Sequence, residues 1–192
     1  MDITAIQFIE LISAILGILG VWLNAKPHIL GWPIGIISVI LAGLVYFDSR
    51  LFAEFGLQIF YSVSGIYGWW KWTSNKEKAS SVKISRINNK ELVISILGGV
   101  FLSLVIGYFL KTKTTADFPW IDSGLASFSL VAQIWLARKY IENWLLWGII
   151  NIVSIGLYLT KDLWFFFGYF SILLIMSVWG YYNWGRKLKS EN

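Results

Sequence analysis

Hydrophobic positions in this chain fall in long runs, separated by short polar stretches. A helix needs about 20 mostly apolar residues to cross the roughly 30 Å hydrocarbon core of a bilayer. Seven runs approach that length: 3–23, 32–47, 52–72, 92–110, 121–136, 144–160 and 163–184. In lipid, backbone N–H and C=O groups must be bonded within the segment, so runs of this kind are helices. The pattern predicts an all-α integral membrane protein with seven transmembrane helices. The first run is not a signal peptide, because it follows Asp2, has no basic n-region and contains Glu10.

Polar punctuation sets the orientation. Seven crossings place the two termini on opposite sides. Twelve basic residues gather on one side: Lys26, six from Lys71 to Lys90, Arg138 and Lys139, and three in the tail from Arg186. Four lie on the other side, at Arg50, Lys111, Lys113 and Lys161. Cytoplasmic loops carry the excess of Lys and Arg, so the N-terminus is expected outside and the C-terminus in the cytoplasm. The stretch between the third and fourth runs is the longest polar one and reads as a flexible cytoplasmic linker.

The runs also repeat. A single ungapped shift of the chain along itself sets Ala25 on Ala137, Trp32 on Trp144, Tyr46 on Tyr158, Gly56 on Gly168, Gly68 on Gly180 and Trp72 on Trp184. Matches among Ile and Leu carry little weight in a membrane chain; three Trp or Tyr pairs in one register carry more. The 192 residues then form one transmembrane domain, with a first repeat over about 1–72, a linker helix over about 91–110 and a second repeat over about 120–184. Three helices plus one linker return the second half in the same orientation as the first. The expected architecture is two parallel three-helix bundles, 3+1+3, a plan used by SWEET sugar carriers.

Composition narrows the function. Hydrophobic residues make up 57% of the chain and charged residues 14%, against about 45–50% and about 25% in soluble domains. There is no cysteine, so disulfides and thiol chemistry are excluded. His28 is the one histidine, and zinc needs three or four ligands, so no metal site is expected. No G-x-x-x-x-G-K-[ST] run is present to bind ATP, and no G-x-S-x-G elbow marks a hydrolase. Neither a cofactor nor enzymatic activity is expected.

The candidate chemistry is aromatic and amide. Trp144, Trp147 and Asn151 are spaced i, i+3, i+7 and share a helix face. At 1.5 Å per residue, Asn151 lies roughly 10 Å deeper than Trp144. A buried amide must find a partner, which a solute can supply. Two indole faces above it suit a flat cationic ring. Tryptophans at helix ends also serve as interfacial belts, and an Asn in a membrane helix also bonds its neighbours. Gln58, with Tyr61 one turn on, and Gln133 sit at comparable depth and fit the same polar pocket or interhelical bonding. Of the carboxylates, only Glu10 falls clearly inside a run, and nothing along the chain assigns it a role. Carriers driven by protons or sodium use intramembrane ionisable groups, so their scarcity favours passive movement.

These residues carry a resemblance. The W-x-x-W-x-x-x-N run at Trp144, Trp147 and Asn151 resembles the W-x-x-W-x-x-x-[ND] signature of PnuC-type vitamin-precursor transporters. The stretch from Gly56 through Gln58 and Tyr61 to Trp72 is similar to the third-helix region of that family, and Gly31-Trp32-Pro33 fits as well. The resemblance implies a SWEET-like seven-helix fold and facilitated diffusion in the plasma (inner) membrane, with net uptake driven by cytoplasmic phosphorylation of the solute. It implies Trp144, Trp147, Asn151 and Gln58 as substrate contacts and a homo-oligomer, with a trimer as the candidate assembly. Nicotinamide riboside is the expected cargo. Thiamine, also a cationic aromatic ring, is the alternative within the family, and a seven-helix receptor or sensor is the alternative outside it.

Overall fold

The computed structural model describes residues 3–49, 52–74 and 83–190. Seven helices follow one another: α1 (Ile3–Ala25), α2 (Gly31–Asp48), α3 (Phe52–Thr73), α4 (Asn89–Lys113), α5 (Pro119–Ala137), α6 (Asn143–Thr160) and α7 (Trp164–Ser190). Each covers one of the apolar runs. Pro119 opens α5 in its first turn, where its missing N–H costs nothing. Asn88 caps α4 by accepting from Glu91 N at 2.8 Å.

Five helices, α1, α2, α4, α6 and α7, are long and apolar enough to cross a membrane by length and composition. The other two expected spans, α3 and α5, fall short of that standard. Their interiors carry the polar residues: Gln58, Tyr61, Ser62 and Ser64 on α3, and Ser123, Ser127, Ser129 and Gln133 on α5. Those two helices pack against each other. The hydroxyls of Ser123, Ser127, Ser129 and Ser64 are buried in protein and are not presented to lipid.

Helix contacts form a closed cycle: α1 on α2, α2 on α3, α3 on α5, α5 on α6, α6 on α7 and α7 back on α1. Helix α4 lies off the cycle and, among the described residues, packs only on α5. It seats there through Gly99 against Phe128 and Gly107 against Trp120, while Val93, Leu97, Phe101, Leu104 and Tyr108 are exposed on α4. Between membrane helices there is no hydrophobic driving force to spare, so small residues that admit a neighbour closely do this work. Gly20 and Gly35 bring α1 and α2 together in the same way, and Ser13 and Ser38 exchange hydroxyl-to-carbonyl bonds of 2.9 and 2.7 Å across that contact.

Four buried tryptophans cluster at the basic end. Trp32 and Trp72 meet edge to face at 5.5 Å and 83°. Trp144 and Trp184, their mates in the sequence register, meet at 5.6 Å and 85°. Trp72 and Trp184 touch at 6.3 Å and join the two pairs. Each pair is seated on a glycine: a Cβ on Gly68 would stand 2.2 Å from the Trp32 ring, and one on Gly180 would stand 2.6 Å from that of Trp144. The indole N–H of Trp72 donates to Ala137 O on α5, and that of Trp184 donates to Asn24 O on α1, both at 3.1 Å. Each half therefore reaches across to the other half's first helix. Ala25, Ile84, Leu136, Ala137 and Ile141 complete this core.

One linker expectation needs correction. Residues 75–82 of the polar stretch lie outside the described residues, but residues 83–88 are not a free linker. Ser85 pairs with the α5–α6 turn by backbone bonds, from Ser85 N to Lys139 O (3.1 Å) and from Ile141 N to Ser85 O (3.0 Å).

Candidate substrate site

Helix α6 begins in the tryptophan core and ends with Tyr158 stacked on α7, and the three residues of the sequence-predicted triplet each meet different surroundings. Trp144 is 2% exposed, held between Trp184 and Gly180, and its indole N–H is buried with no protein partner. Trp147, one turn deeper, is half-buried against the α5–α6 cluster of Ala132, Trp135, Leu146 and Ile150. Asn151 is 2% exposed, and its Nδ2 donates to Ser177 Oγ on α7 at 3.1 Å. The amide thus already has one interhelical partner.

The remaining candidates sit on the two polar helices. Gln58 is half-buried on α3, next to Gly43 of α2. Tyr61 lies near the Ser129 side chain of α5. Gln133 is half-buried on α5, four residues from its basic end, as Trp147 is four residues into α6. At 1.5 Å per residue both lie about 6 Å inside their helix ends. Among the described residues, no hydrogen bond joins any two of the six candidates, and the Gln58 and Gln133 amides bond no protein group.

Structure adds residues that spacing on one helix does not single out. The phenols of Tyr46 on α2 and Tyr61 on α3 lie within electrostatic range of Tyr169 on α7. The Tyr169 hydroxyl stands beside Gly17, where a Cβ would meet it at 3.0 Å and Ser38 Oγ at 3.1 Å. Tyr158 on α6 lies within range of Tyr46 and stacks on Phe166 (5.0 Å, 19°) and Phe170 (5.2 Å, 16°). Four helices of the cycle thus each turn a tyrosine toward one region, on the far side of Asn151 from the tryptophan core. Tyr46 and Tyr158 are legible as a pair in the repeat register; Tyr169 is not, since Leu57 is its counterpart. Trp32 is likewise legible as the mate of Trp144, and its indole N–H is also buried and unpartnered.

Glu10 is exposed on α1 and lines a small cavity of about 270 Å³ with Gln7, Leu11, Phe165 and Phe166, near the end of the bundle away from the tryptophan core. The basic end carries a second, of about 370 Å³, lined by Lys71, Ser85, Glu91, Arg138 and Tyr140.

The helices close a cycle with buried serines and asparagines at their contacts and a tryptophan cluster at one end, and the family follows from comparison. The model of the nicotinamide mononucleotide transporter family matches residues 7–186. The chain belongs to that family. It is 30% identical to the nicotinamide riboside transporter PnuC of Escherichia coli (strain K12), over 80% of this chain and 74% of that one. It is 23% identical to the riboflavin/roseoflavin transporter RibM of Streptomyces davaonensis, over 95% of this chain and 87% of that one. Among solved structures, a crystal structure of the vitamin B3 transporter PnuC superimposes with a TM-score of 0.77 at 26% identity, covering 96% of this chain and 83% of that one. Family membership makes this an integral membrane transporter and fits the seven-helix fold.

Proposed function

We propose that the chain carries nicotinamide riboside across the inner membrane by facilitated diffusion, with net uptake sustained by phosphorylation of the solute in the cytoplasm. The observation that carries this reading is the α6 face: an unpartnered indole N–H at Trp144, a half-buried ring at Trp147 and a buried amide at Asn151, facing a cycle that also holds Gln58, Tyr61 and Gln133. Trp147 stacks on the pyridinium ring, where a cation–π term adds to aromatic contact. The amides bond the carboxamide and ribose. The like contacts made by repeat-related residues, and the isolation of α4, support two parallel three-helix repeats, 1–72 and 120–184, that rock about this site with α4 as linker. Their basic ends are cytoplasmic and the N-terminus is external. We further propose a homo-oligomer, with a trimer as the candidate assembly and the exposed face of α4 as the natural contact.

Purified protein in liposomes tests the reading. Labelled nicotinamide riboside should equilibrate without ATP, sodium or a proton gradient, and should accumulate beyond equilibrium only when a riboside kinase and ATP are enclosed. Thiamine in parallel vesicles separates the two cargoes. Accumulation of unmodified riboside without the kinase would contradict passive transport, and absence of any flux would favour a receptor.

A further inference from the structure

The chain between α3 and α4 does more than connect them. Ile84 is 6% exposed and sits in the core formed by Trp32, Trp72, Trp144 and Trp184, to which both halves contribute. Ser85 is bridged to the α5–α6 turn on both sides of Tyr140. Glu142, at the start of α6, accepts from Ile87 N at 3.0 Å and faces Arg86 at 3.9 Å. Glu91, in the first turn of α4, faces Arg138 at 3.6 Å and accepts from the Tyr140 hydroxyl. Residues 83–91 thus cross from the first half to the second and bind there through an apolar anchor, two backbone bonds and two carboxylates. The basic end beneath them is shut, with Trp32, Trp72, Trp144 and Trp184 all at most 7% exposed.

The corresponding turn of the first half, α1–α2, has nothing to receive such a strap. In the register that sets Trp32 on Trp144, Tyr140 and Glu142 become His28 and Leu30, both exposed. The strap is therefore absent from the repeat itself. It is specific to the connection between halves, where a contact can report their relative position.

We propose that residues 83–91 are the latch of the gate at the basic end: they hold the tryptophan core closed, and they leave the α5–α6 turn when that end opens to solute. Ile84 is withdrawn from between the halves and the Glu142 and Glu91 contacts are exchanged for water, a two-state change of the kind that gates a path. The inference rests on the carrier reading above, and its tests separate the two.

The chain has no cysteine, so introduced pairs react alone. Ser85→Cys with Tyr140→Cys places thiols on facing residues of the bridge, for closure by oxidation or by a short bis-maleimide. Linked protein in liposomes should lose riboside flux at least tenfold, and reduction of the disulfide should restore it. Flux within twofold of the reduced form, at nine-tenths linkage, would overturn the latch. The second arm needs no cargo. Ile84→Cys should react with a soluble maleimide at least tenfold more slowly than Lys83→Cys, and adding Glu142→Ala should speed it at least fivefold. Equal rates for Ile84→Cys and Lys83→Cys, or no response to Glu142→Ala, would also overturn it. Failure of the reduced pair and the parent to move riboside would instead strike the carrier reading, leaving the labelling arm to judge the latch.

Discussion

The α1–α2 and α5–α6 turns correspond in the sequence register and are built on the same backbone bonds. His28 N donates to Leu23 O at 2.9 Å, as Tyr140 N does to Trp135 O at 3.0 Å. Gly31 N bonds His28 O and Asn143 N bonds Tyr140 O, at 3.0 and 3.1 Å; Trp32 N bonds Ile29 O and Trp144 N bonds Ile141 O, at 3.3 and 3.2 Å. Both turns deliver a tryptophan to the same core. Their outer surfaces then diverge. One presents His28 and Leu30 to its surroundings; the other holds a second segment of chain through Tyr140 and Glu142. Backbone geometry here is shared while side chains assign the tasks, so like folds in the two halves need not do like work.

The largest effect should come where the halves are most alike. Gly68→Ala and Gly180→Ala each force a Cβ into an indole ring backed by packed neighbours, which should destabilise by about 3 kcal/mol, at the upper end of overpacking in a core. Thermal unfolding of detergent-purified protein, read by loss of monodisperse elution, should show two similar drops. A large drop for one glycine and none for the other would break the equivalence of the two tryptophan seats.

Next comes a test where the halves should differ. Trp147→Ala should weaken nicotinamide riboside binding by about 1–3 kcal/mol, from lost aromatic contact and cation–π attraction, and Trp147→Phe should weaken it less. Asn151→Leu should also weaken binding by leaving a polar edge of the solute unpaired. Their counterparts are Gly35 and Val39, and Val39→Leu should leave affinity unchanged. Calorimetry on folded variants decides. If Trp147→Ala and Asn151→Leu both bind like the parent, the site does not lie on α6.

The smallest effect concerns the strapped turn alone. Burial, and then the bond to Glu91 and that carboxylate's charge, raise the Tyr140 phenol above its ordinary value of 10.0. A group whose folded pKa is raised contributes stability that is complete below the unfolded pKa and lost as pH climbs through the folded one. Parent protein should therefore lose stability above pH 10 more steeply than Tyr140→Phe, with the other tyrosines cancelling in the comparison. Parallel curves would show that the Tyr140–Glu91 bond gives the strap nothing.

How much is legible follows from the range of each interaction. Helices can be read from runs of apolar residues because a backbone in lipid has no other way to bond itself. The pairing of Trp32 with Trp144, Gly68 with Gly180 and Trp72 with Trp184 is also on the surface of the sequence, since one ungapped shift sets each residue on its mate. The serines and glutamines of α3 and α5 are equally visible there. What covers them is not, because α3 and α5 each pack on sequence neighbours and also on one another across a long stretch of chain.

Local periodicity and charge along the chain were enough for seven helices and a basic end, and they proposed the repeat register and the aromatic–amide face of α6. Packing had to add that Trp144 belongs to a four-tryptophan core, that Asn151 already holds Ser177, that Tyr169 joins Tyr46 and Tyr61, and that residues 83–91 lie across the α5–α6 turn. Each of those facts depends on groups brought together from distant parts of the chain, as from Asn151 to Ser177 or from Ser85 to Lys139. Helical period fixes which face a residue takes, but the helix that meets that face is chosen by packing across the whole cycle.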